Sequence, residues 1–173
     1  MPLTLKDARS LVHTLADIRG EELASAIRKR CSATGLTWDR AARTEMYRLL
    51  QQELEAMRPQ ADADALYVEG CRTIPGKWRT RFFGARVCPD GALLCGDGSA
   101  LALEIDHGRA GSRVRNAVAK AAFSIHLAQY IEAHVLFVWE GATPPLMGPT
   151  ERGIVRRWAQ EWRTVLHVIH AGA

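Results

Sequence analysis

The first third of the chain carries apolar residues at helical spacing. They recur three or four positions apart as far as Lys29, with a break near Gly20, and this pattern predicts two helices. A third, longer helix is predicted to start from a cap at Thr37 or Asp39 and to run to about Met57. The N-terminal part of the protein is therefore expected to be helical.

The rest of the chain mixes strand and helix signals. The order of a helix, three antiparallel strands, a helix and a strand predicts an α/β domain with a mixed sheet flanked by helices. The predicted elements are strand segments over residues 66–83 interrupted at Pro75-Gly76, a hairpin over residues 86–106, a helix from Ser112 to about Glu132, a buried strand over His134–Trp139 and a final helix over residues 150–170.

The hairpin has two alternative registers, which differ in the residues that share a face. A two-residue loop at Asp97-Gly98 places Asp90 opposite Ile105, among large aliphatic side chains. A three-residue loop with Gly98 in the left-handed conformation instead places Asp90 opposite Glu104. Burying an unpaired polar group among apolar side chains costs about 2–7 kcal/mol, so we expect the second register.

In that register three carboxylates share one face of the hairpin with small residues. Asp90, Glu104 and Asp106 are the candidate metal ligands, because Mg²⁺ (or Mn²⁺) prefers oxygen ligands and needs only one or two protein carboxylates beside water and phosphate. The neighbouring His107 is a candidate base or phosphate donor. The expected chemistry is metal-assisted hydrolysis of a phosphodiester.

These residues also resemble a known motif. Pro89-Asp90, thirteen further residues and Glu104-Ile105-Asp106 are similar to the signature of the PD-(D/E)xK nuclease superfamily, with Asp106 at the position of the usual lysine. The resemblance covers about residues 65–139. It implies a restriction-endonuclease-like core and a Mg²⁺-dependent endonuclease that hydrolyses DNA in restriction, defence or mobile-element biology.

The resemblance also implies roles for individual residues. Asp90 and Glu104 bind the metal ion, and Asp106 orients water or completes the shell of a second ion. In some members the missing lysine lies on the following helix, where Lys120 stands here. In others the helix before the sheet supplies a glutamate, for which Glu45 and Glu53 are the candidates; the alternative is that each is a solvated helix carboxylate.

Residues 72–86 interleave basic and aromatic side chains. This mixture suits a hairpin that contacts phosphates through arginine and stacks rings on bases, whereas the alternative places the aromatic rings in the core and the arginines in water. Together with two arginines that follow Asp106, the candidate nucleic-acid-binding residues are Arg72, Lys77, Arg79, Arg81, Arg109 and Arg113.

Composition limits these expectations only loosely. With 173 residues, 47% hydrophobic content and a net charge of +4, the chain is expected to form one domain: a helical part over residues 1–58, a nuclease-like core over residues 65–140 and a C-terminal helix. No signal peptide or membrane span is apparent, and a cytoplasmic location is expected. The mild positive charge is compatible with DNA as a partner.

Two alternative interpretations of the same residues remain open. A non-catalytic accessory protein with this fold would hold DNA through its arginines without cutting it, and a protein-interaction unit would use the C-terminal tryptophan helix. One active site per chain cuts one strand, so symmetric cleavage of a duplex requires a homodimer or a partner protein.

Overall fold

Five helices and seven strands follow one another in this computed structural model, which describes residues 2–57, 64–142 and 147–171. A π-helical turn at Thr14–Ile18 follows the first helix, and a 3-10 turn at Gly76–Trp78 precedes the second strand. The elements are α1 (Leu5–His13), α2 (Gly20–Thr34), α3 (Trp38–Met57), β1 (Leu66–Val68), β2 (Thr80–Phe82), β3 (Ala85–Val87), β4 (Gly91–Leu94), β5 (Ala100–Gly108), α4 (Gly111–Ala128), β6 (Glu132–Trp139), α5 (Pro149–Glu161) and β7 (Thr164–His170).

Five of the strands form one mixed sheet in the order β1-β4-β5-β6-β7. β1, β4 and β5 pair antiparallel, whereas β6 and β7 run parallel to β5. β2 and β3 form a separate two-stranded hairpin inserted between β1 and β4. The predicted α/β class and mixed sheet flanked by helices are confirmed. Within the described ranges, no helix is long and apolar enough to cross a membrane.

The β4–β5 hairpin adopts the predicted three-residue loop. The Cys95 N–H donates to the Ser99 carbonyl at 2.9 Å, and Gly98 lies in the left-handed region with φ +85°. Gly91 pairs with Leu103, and continuing this register by one residue puts Asp90 opposite Glu104.

This register separates large and small side chains onto opposite faces of the sheet. Leu93, Leu101 and Leu103 pack with helices α1, α2 and α3 in one core cluster. Ala92 and Ala102 face the other way and pack against α4. Because alanines occupy little space, α4 lies close to the face that carries Glu104.

The N-terminal helices begin and end largely where the sequence indicates. Thr4 caps α1 through a reciprocal pair of hydrogen bonds with Asp7, and the predicted break occurs between Ile18 and Gly20. A Cβ at Gly20 would lie 3.0 Å from a methyl carbon of Ile169, so glycine permits the close approach of α2 to β7.

The predicted C-terminal helix is wrong beyond residue 161. Helix α5 ends at Glu161, Arg163 takes a left-handed conformation with φ +51°, and β7 then pairs in parallel with β6. Val165 and Leu166 fit a helical stripe as well as a strand, and the edge of β6 decides between them by offering unpaired backbone groups.

The helix predicted to reach Glu132 also ends earlier, at Ala128, because Gln129 turns left-handed and β6 begins at residue 132. Helix α4 starts at Gly111, one residue before the predicted Ser112, and Ala110 at its N-terminus provides no side-chain cap.

A buried polar cluster joins α1 to strands β6 and β7. His134 Nε2 lies 2.6 Å from a Glu132 oxygen, and His134 Nδ1 lies 3.0 Å from His167 Nε2. Arg9 completes the cluster with an ion pair of 2.6 Å to Glu132, and the His13 ring packs edge-on against His167. The hydrogen bonds and the ion pair offset the cost of burying these polar groups.

The buried His167 imidazole makes stability depend on pH. Its pKa is lowered to about 3, first by burial and then by the charges of His134 and His13. Below about pH 6.5 the unfolded chain takes up a proton here that the folded protein does not, so stability is lost as the pH falls from about 6.5 towards 3.

Urea denaturation at pH 7 and pH 5 tests this assignment. We expect the free energy of unfolding of the unmodified protein to fall by about 2 kcal/mol more between these two pH values than that of His167→Gln does. Equal losses in both proteins would contradict this assignment.

Candidate active site

Two buried carboxylates face each other at the start of the β4–β5 hairpin. Asp90, directly before β4, is 4% exposed, and Glu104 on β5 is 2% exposed. The backbone N–H of Ile105 donates to Asp90 Oδ2 at 2.9 Å, which fixes the orientation of that carboxylate. The structure thus brings together Asp90 and Glu104, the first two of the three predicted metal ligands.

Lys120 joins this pair from helix α4. Its Nζ lies 2.7 Å from Glu104 Oε2 and 3.9 Å from Asp90 Oδ1. Ala117 and Ala121 on the same helix are buried against the sheet, and their small size allows the approach. The structure places Lys120 where the resemblance implied it, two turns into the helix that follows the hairpin.

Arg43 on α3 is the fourth member of the site, and sequence reasoning missed it. Its Nε and Nη2 atoms lie 3.2 and 3.0 Å from Asp90 Oδ1. No local spacing indicates this contact, because 47 residues separate the two side chains. We call Arg43, Asp90, Glu104 and Lys120 the candidate active site.

The glutamates predicted as additional ligands on α3 are engaged elsewhere. Glu45 is buried in ion pairs with Arg30 and with Arg48, the latter at 2.8 Å, and Glu53 pairs with Arg19. These partners lie on α2, on α3 itself and before α2, away from the β4–β5 hairpin. The α3 helix therefore contributes a cation, Arg43, to the candidate active site.

Electrostatics at Glu104 are unfavourable for a carboxylate. Burial raises the pKa of Glu104 well above its usual range, and the nearby Asp90 raises it further, while Lys120 opposes both. Glu104 Oε1 is buried without a hydrogen-bond partner. Desolvation lowers the pKa of Lys120, but the attraction of Glu104 and Asp90 outweighs it and the net shift is upward. Glu104 Oε1 is thus a buried oxygen of the site that no hydrogen-bond donor in the described part of the chain compensates.

Asp106 and His107 belong to a second polar cluster, which is separate from the candidate active site. Asp106 Oδ1 accepts hydrogen bonds from the His107 N–H at 2.7 Å and from Arg113 at 3.2 Å. The His107 ring stacks on Trp38 with centroids 3.7 Å apart, and its Nδ1 lies 3.1 Å from Glu140. The structure therefore holds Asp106 in a separate set of hydrogen bonds, and its predicted role in metal binding stays a prediction.

The six predicted nucleic-acid-binding residues occupy three regions. Arg79 and Arg81 lie on the β2–β3 segment, Lys77 lies just before it over the Trp78 ring, and Arg72 lies over the Tyr67 ring and pairs with Asp64. Arg113 is on the first turn of α4, and Arg109 lines a cleft of about 360 Å³ with Arg28 and Trp38. Trp78 is buried, as the alternative with the rings in the core predicts, whereas Phe82 and Phe83 are exposed, and their stacking on bases stays a prediction.

Asp90 and Glu104 are the residues of the candidate active site that could hold a divalent cation of the Mg²⁺ type. Across the described residues, no three side chains of His, Cys, Asp or Glu are grouped so that they could hold a metal ion by themselves. Mg²⁺ does not require such a cage, because water and substrate phosphate complete a shell begun by one or two carboxylates. The unpartnered Oε1 of Glu104, beside Asp90, is the oxygen that a cation would compensate.

No protein-family model, curated protein or solved structure matches this chain. The interpretation of the site therefore depends on its own geometry and on the motif in the sequence.

Removing the charge of Glu104 and removing the charge of Glu45, both buried, should have different effects on the free energy of unfolding. The Glu104 carboxylate is destabilised where it lies, so Glu104→Gln in EDTA at pH 8 is expected to keep or raise the free energy of unfolding, by about 1 kcal/mol. Burial raises the pKa of Glu45, but hydrogen bonds from Arg48 and Arg30 lower it more, so Glu45→Gln is expected to cost about 2 kcal/mol.

Urea denaturation of the three proteins measures both changes under the same conditions. A loss of stability in Glu104→Gln as large as that in Glu45→Gln would show that the Glu104 carboxylate serves the fold and not a ligand.

Proposed function

We propose that this protein is a metal-dependent endonuclease that hydrolyses DNA phosphodiester bonds, with Asp90 and Glu104 as metal ligands. The proposal is supported by two buried carboxylates at the start of a β-hairpin, in the order in which the sequence motif has them, and by a lysine that contacts Glu104 from helix α4. DNA is chosen as the substrate because the motif resembles that of the PD-(D/E)xK nucleases.

One observation carries the proposal. Glu104 is buried next to another carboxylate and keeps an oxygen without a hydrogen-bond partner, although such a group costs a few kcal/mol. Native proteins retain arrangements of this kind mainly where a site needs them, and strongly raised carboxylate pKa values are concentrated at functional sites. A bound cation explains both the burial and the missing partner.

Each side chain has a chemical role in this reaction. Asp90 and Glu104 would hold Mg²⁺, which would supply Lewis-acid stabilisation of the charge that develops on the phosphate. Lys120 is positively charged and half exposed, so its ammonium group can turn towards a phosphate oxygen and stabilise the same charge. Arg43 and the Ile105 N–H keep Asp90 in place.

The topology supports the same family of folds. Helix α3, the antiparallel strands β1, β4 and β5, helix α4 and the parallel strand β6 follow the order that the resemblance implies for a restriction-endonuclease-like core. The β2–β3 hairpin, α5 and β7 are additions to that order. We propose that residues 65–140 form the nuclease core and that restriction, defence or mobile-element biology is the setting.

A second function is favoured by a different observation. Lys120 and Arg43 already neutralise much of the charge on Glu104 and Asp90, and a non-catalytic DNA-binding protein would need nothing more. In that case the basic residues bind DNA and the carboxylates only join elements of the fold. Cleavage assays separate the two functions.

Nicking of supercoiled plasmid in Mg²⁺ or Mn²⁺ tests the principal proposal. We expect the unmodified protein to nick the plasmid, and Glu104→Gln to reduce the rate at least about 100-fold, since metal-ion catalysis supplies several kcal/mol and each 1.36 kcal/mol is a factor of ten. Glu161→Gln, an exposed neutralisation on α5, is the matched control and should cut normally.

A protein that binds DNA in a salt-dependent manner but does not nick it with either metal would support the accessory function instead. Nicking that survives both EDTA and Glu104→Gln would contradict the assignment of the carboxylates.

Lys120 and Asp106 should differ in their importance for cleavage. Lys120 contacts Glu104 directly, so Lys120→Met is expected to lower the nicking rate at least about 100-fold. Asp106 accepts a hydrogen bond from Arg113 in a separate polar cluster, so Asp106→Asn is expected to lower the nicking rate less than 10-fold. The comparison is made at equal, saturating metal concentration. A larger effect of Asp106→Asn than of Lys120→Met would instead make Asp106 a principal metal ligand.

A further inference from the structure

The tip of the β2–β3 hairpin exposes two phenylalanine rings. Phe83 is 94% exposed and Phe82 is 42% exposed, although burial of such rings is a main source of folding stability. Thr80 pairs with Val87 and Phe82 with Ala85, so Phe83 and Gly84 form a two-residue turn. We call residues 79–87 the aromatic hairpin.

Phe83 is not the residue that this turn requires. Phe83 has φ +47° and Gly84 has φ +78°, both in the left-handed region. Two-residue turns with positive φ at both positions favour Asn-Gly, because asparagine tolerates this conformation and bulky residues do so poorly. The ring at position 83 therefore serves neither the turn nor the core, and strained backbone of this kind is concentrated at functional sites.

The rings contact α4, the helix that carries Lys120 of the candidate active site. Phe82 packs edge-on against Phe83, with centroids 4.6 Å apart, and against Phe123 of α4, with centroids 5.1 Å apart. Phe123 is one helical turn after Lys120, which contacts Glu104. A strand of nucleic acid with a phosphate at Lys120 would therefore pass close to the aromatic hairpin.

Arginines surround the base of the same hairpin. Arg79, Arg81 and Arg86 line an open cleft of about 420 Å³ whose lining includes no carboxylate. Arg81 lies directly opposite Arg86, and like charges in this position destabilise a hairpin. Arg86 pairs with Glu69, whereas Arg79 and Arg81 make no ion pair with any residue in the described ranges. This charge arrangement favours a polyanionic ligand.

We propose that the aromatic hairpin stacks the Phe83 ring on an unpaired DNA base while the arginine cleft holds the phosphates of that strand. The choice of DNA rests on the proposed function. An aromatic ring stacks on any base, and an unpaired base offers a free face, whereas entry into a duplex must also overcome base stacking. The proposal selects DNA with unpaired segments, such as junctions and displaced strands, over continuous duplex.

Phe83→Asn tests the proposal without weakening the turn, because asparagine suits the left-handed backbone at this position. The full chain is titrated in EDTA at fixed salt with two oligonucleotides, one with a central unpaired segment carrying the fluorescent base 2-aminopurine and one fully paired. We expect Phe83→Asn to bind the unpaired segment about 10-fold more weakly and the duplex unchanged, and to reduce the change in 2-aminopurine fluorescence.

Two variants control for the ring and for surface hydrophobicity. Phe83→Tyr keeps an aromatic face and should bind as the unmodified protein does. Ile18→Asn removes another exposed apolar side chain, which is 76% exposed and lies in the turn after α1, and should also leave binding unchanged.

Unchanged affinity of Phe83→Asn for the unpaired segment would overturn the proposal. A loss confined to duplex, or equal on both oligonucleotides, would also overturn it, as would binding to anionic phospholipid vesicles with no affinity for DNA. Binding that depends on Phe83 in a protein that never nicks DNA would support the aromatic hairpin and reject the proposed nuclease activity. The two proposals therefore fail separately.

Discussion

The pairing of β4 with β5 determines what each face of the central sheet can do. In the register that aligns Gly91 with Leu103, one face turns Leu93, Leu101 and Leu103 towards α1, α2 and α3, and the other turns Ala92 and Ala102 towards α4. A shift by one residue would exchange the faces, exposing the leucines to the space that α4 fills and placing Glu104 in the larger apolar core. The packing of both helical layers and the meeting of Asp90 with Glu104 therefore depend on one turn.

The candidate active site concentrates charge that the fold does not need. Glu45 and Glu104 are both buried glutamates, yet arginines lower the pKa of the first, while burial and Asp90 raise the pKa of the second. A glutamate that only joins elements of the fold resembles Glu45, with every oxygen partnered. The contrast inside a single chain is the physical basis for treating Glu104 as a ligand-binding residue.

The aromatic hairpin is a second part of the structure that the fold itself does not need. It is inserted between β1 and β4, and its last strand leads within three residues to Asp90. The insertion exposes the Phe83 ring to water, strains the backbone at that residue and places Arg81 opposite Arg86. It adds no strand to the main sheet. Phe82 of the hairpin packs against Phe123 on the helix that carries Lys120, which makes contact with a substrate strand the simplest account of these costs.

The parts of the structure that the sequence by itself determined are those that depend on neighbours in the chain. The turn at Gly98 and the alternation of leucine and alanine are local, and they predict the hairpin, its register and the meeting of Asp90 with Glu104. Lys120 was expected from the resemblance, which implies a lysine on the following helix, and its contact with Glu104 also needs α4 to pack across the hairpin. The final strand was not predictable in this way, because Val165 and Leu166 fit either period and the backbone of β6 decides between them.

Contacts between distant elements were decided by the tertiary structure alone. Arg43 meets Asp90 because α3 packs against β1 and β5, the two neighbours of β4, and His134 meets His167 because β6 and β7 are adjacent. Spacing along a chain reports which residues share a face of one element. It does not report which other element that face will meet, since that depends on how all the apolar faces are buried together.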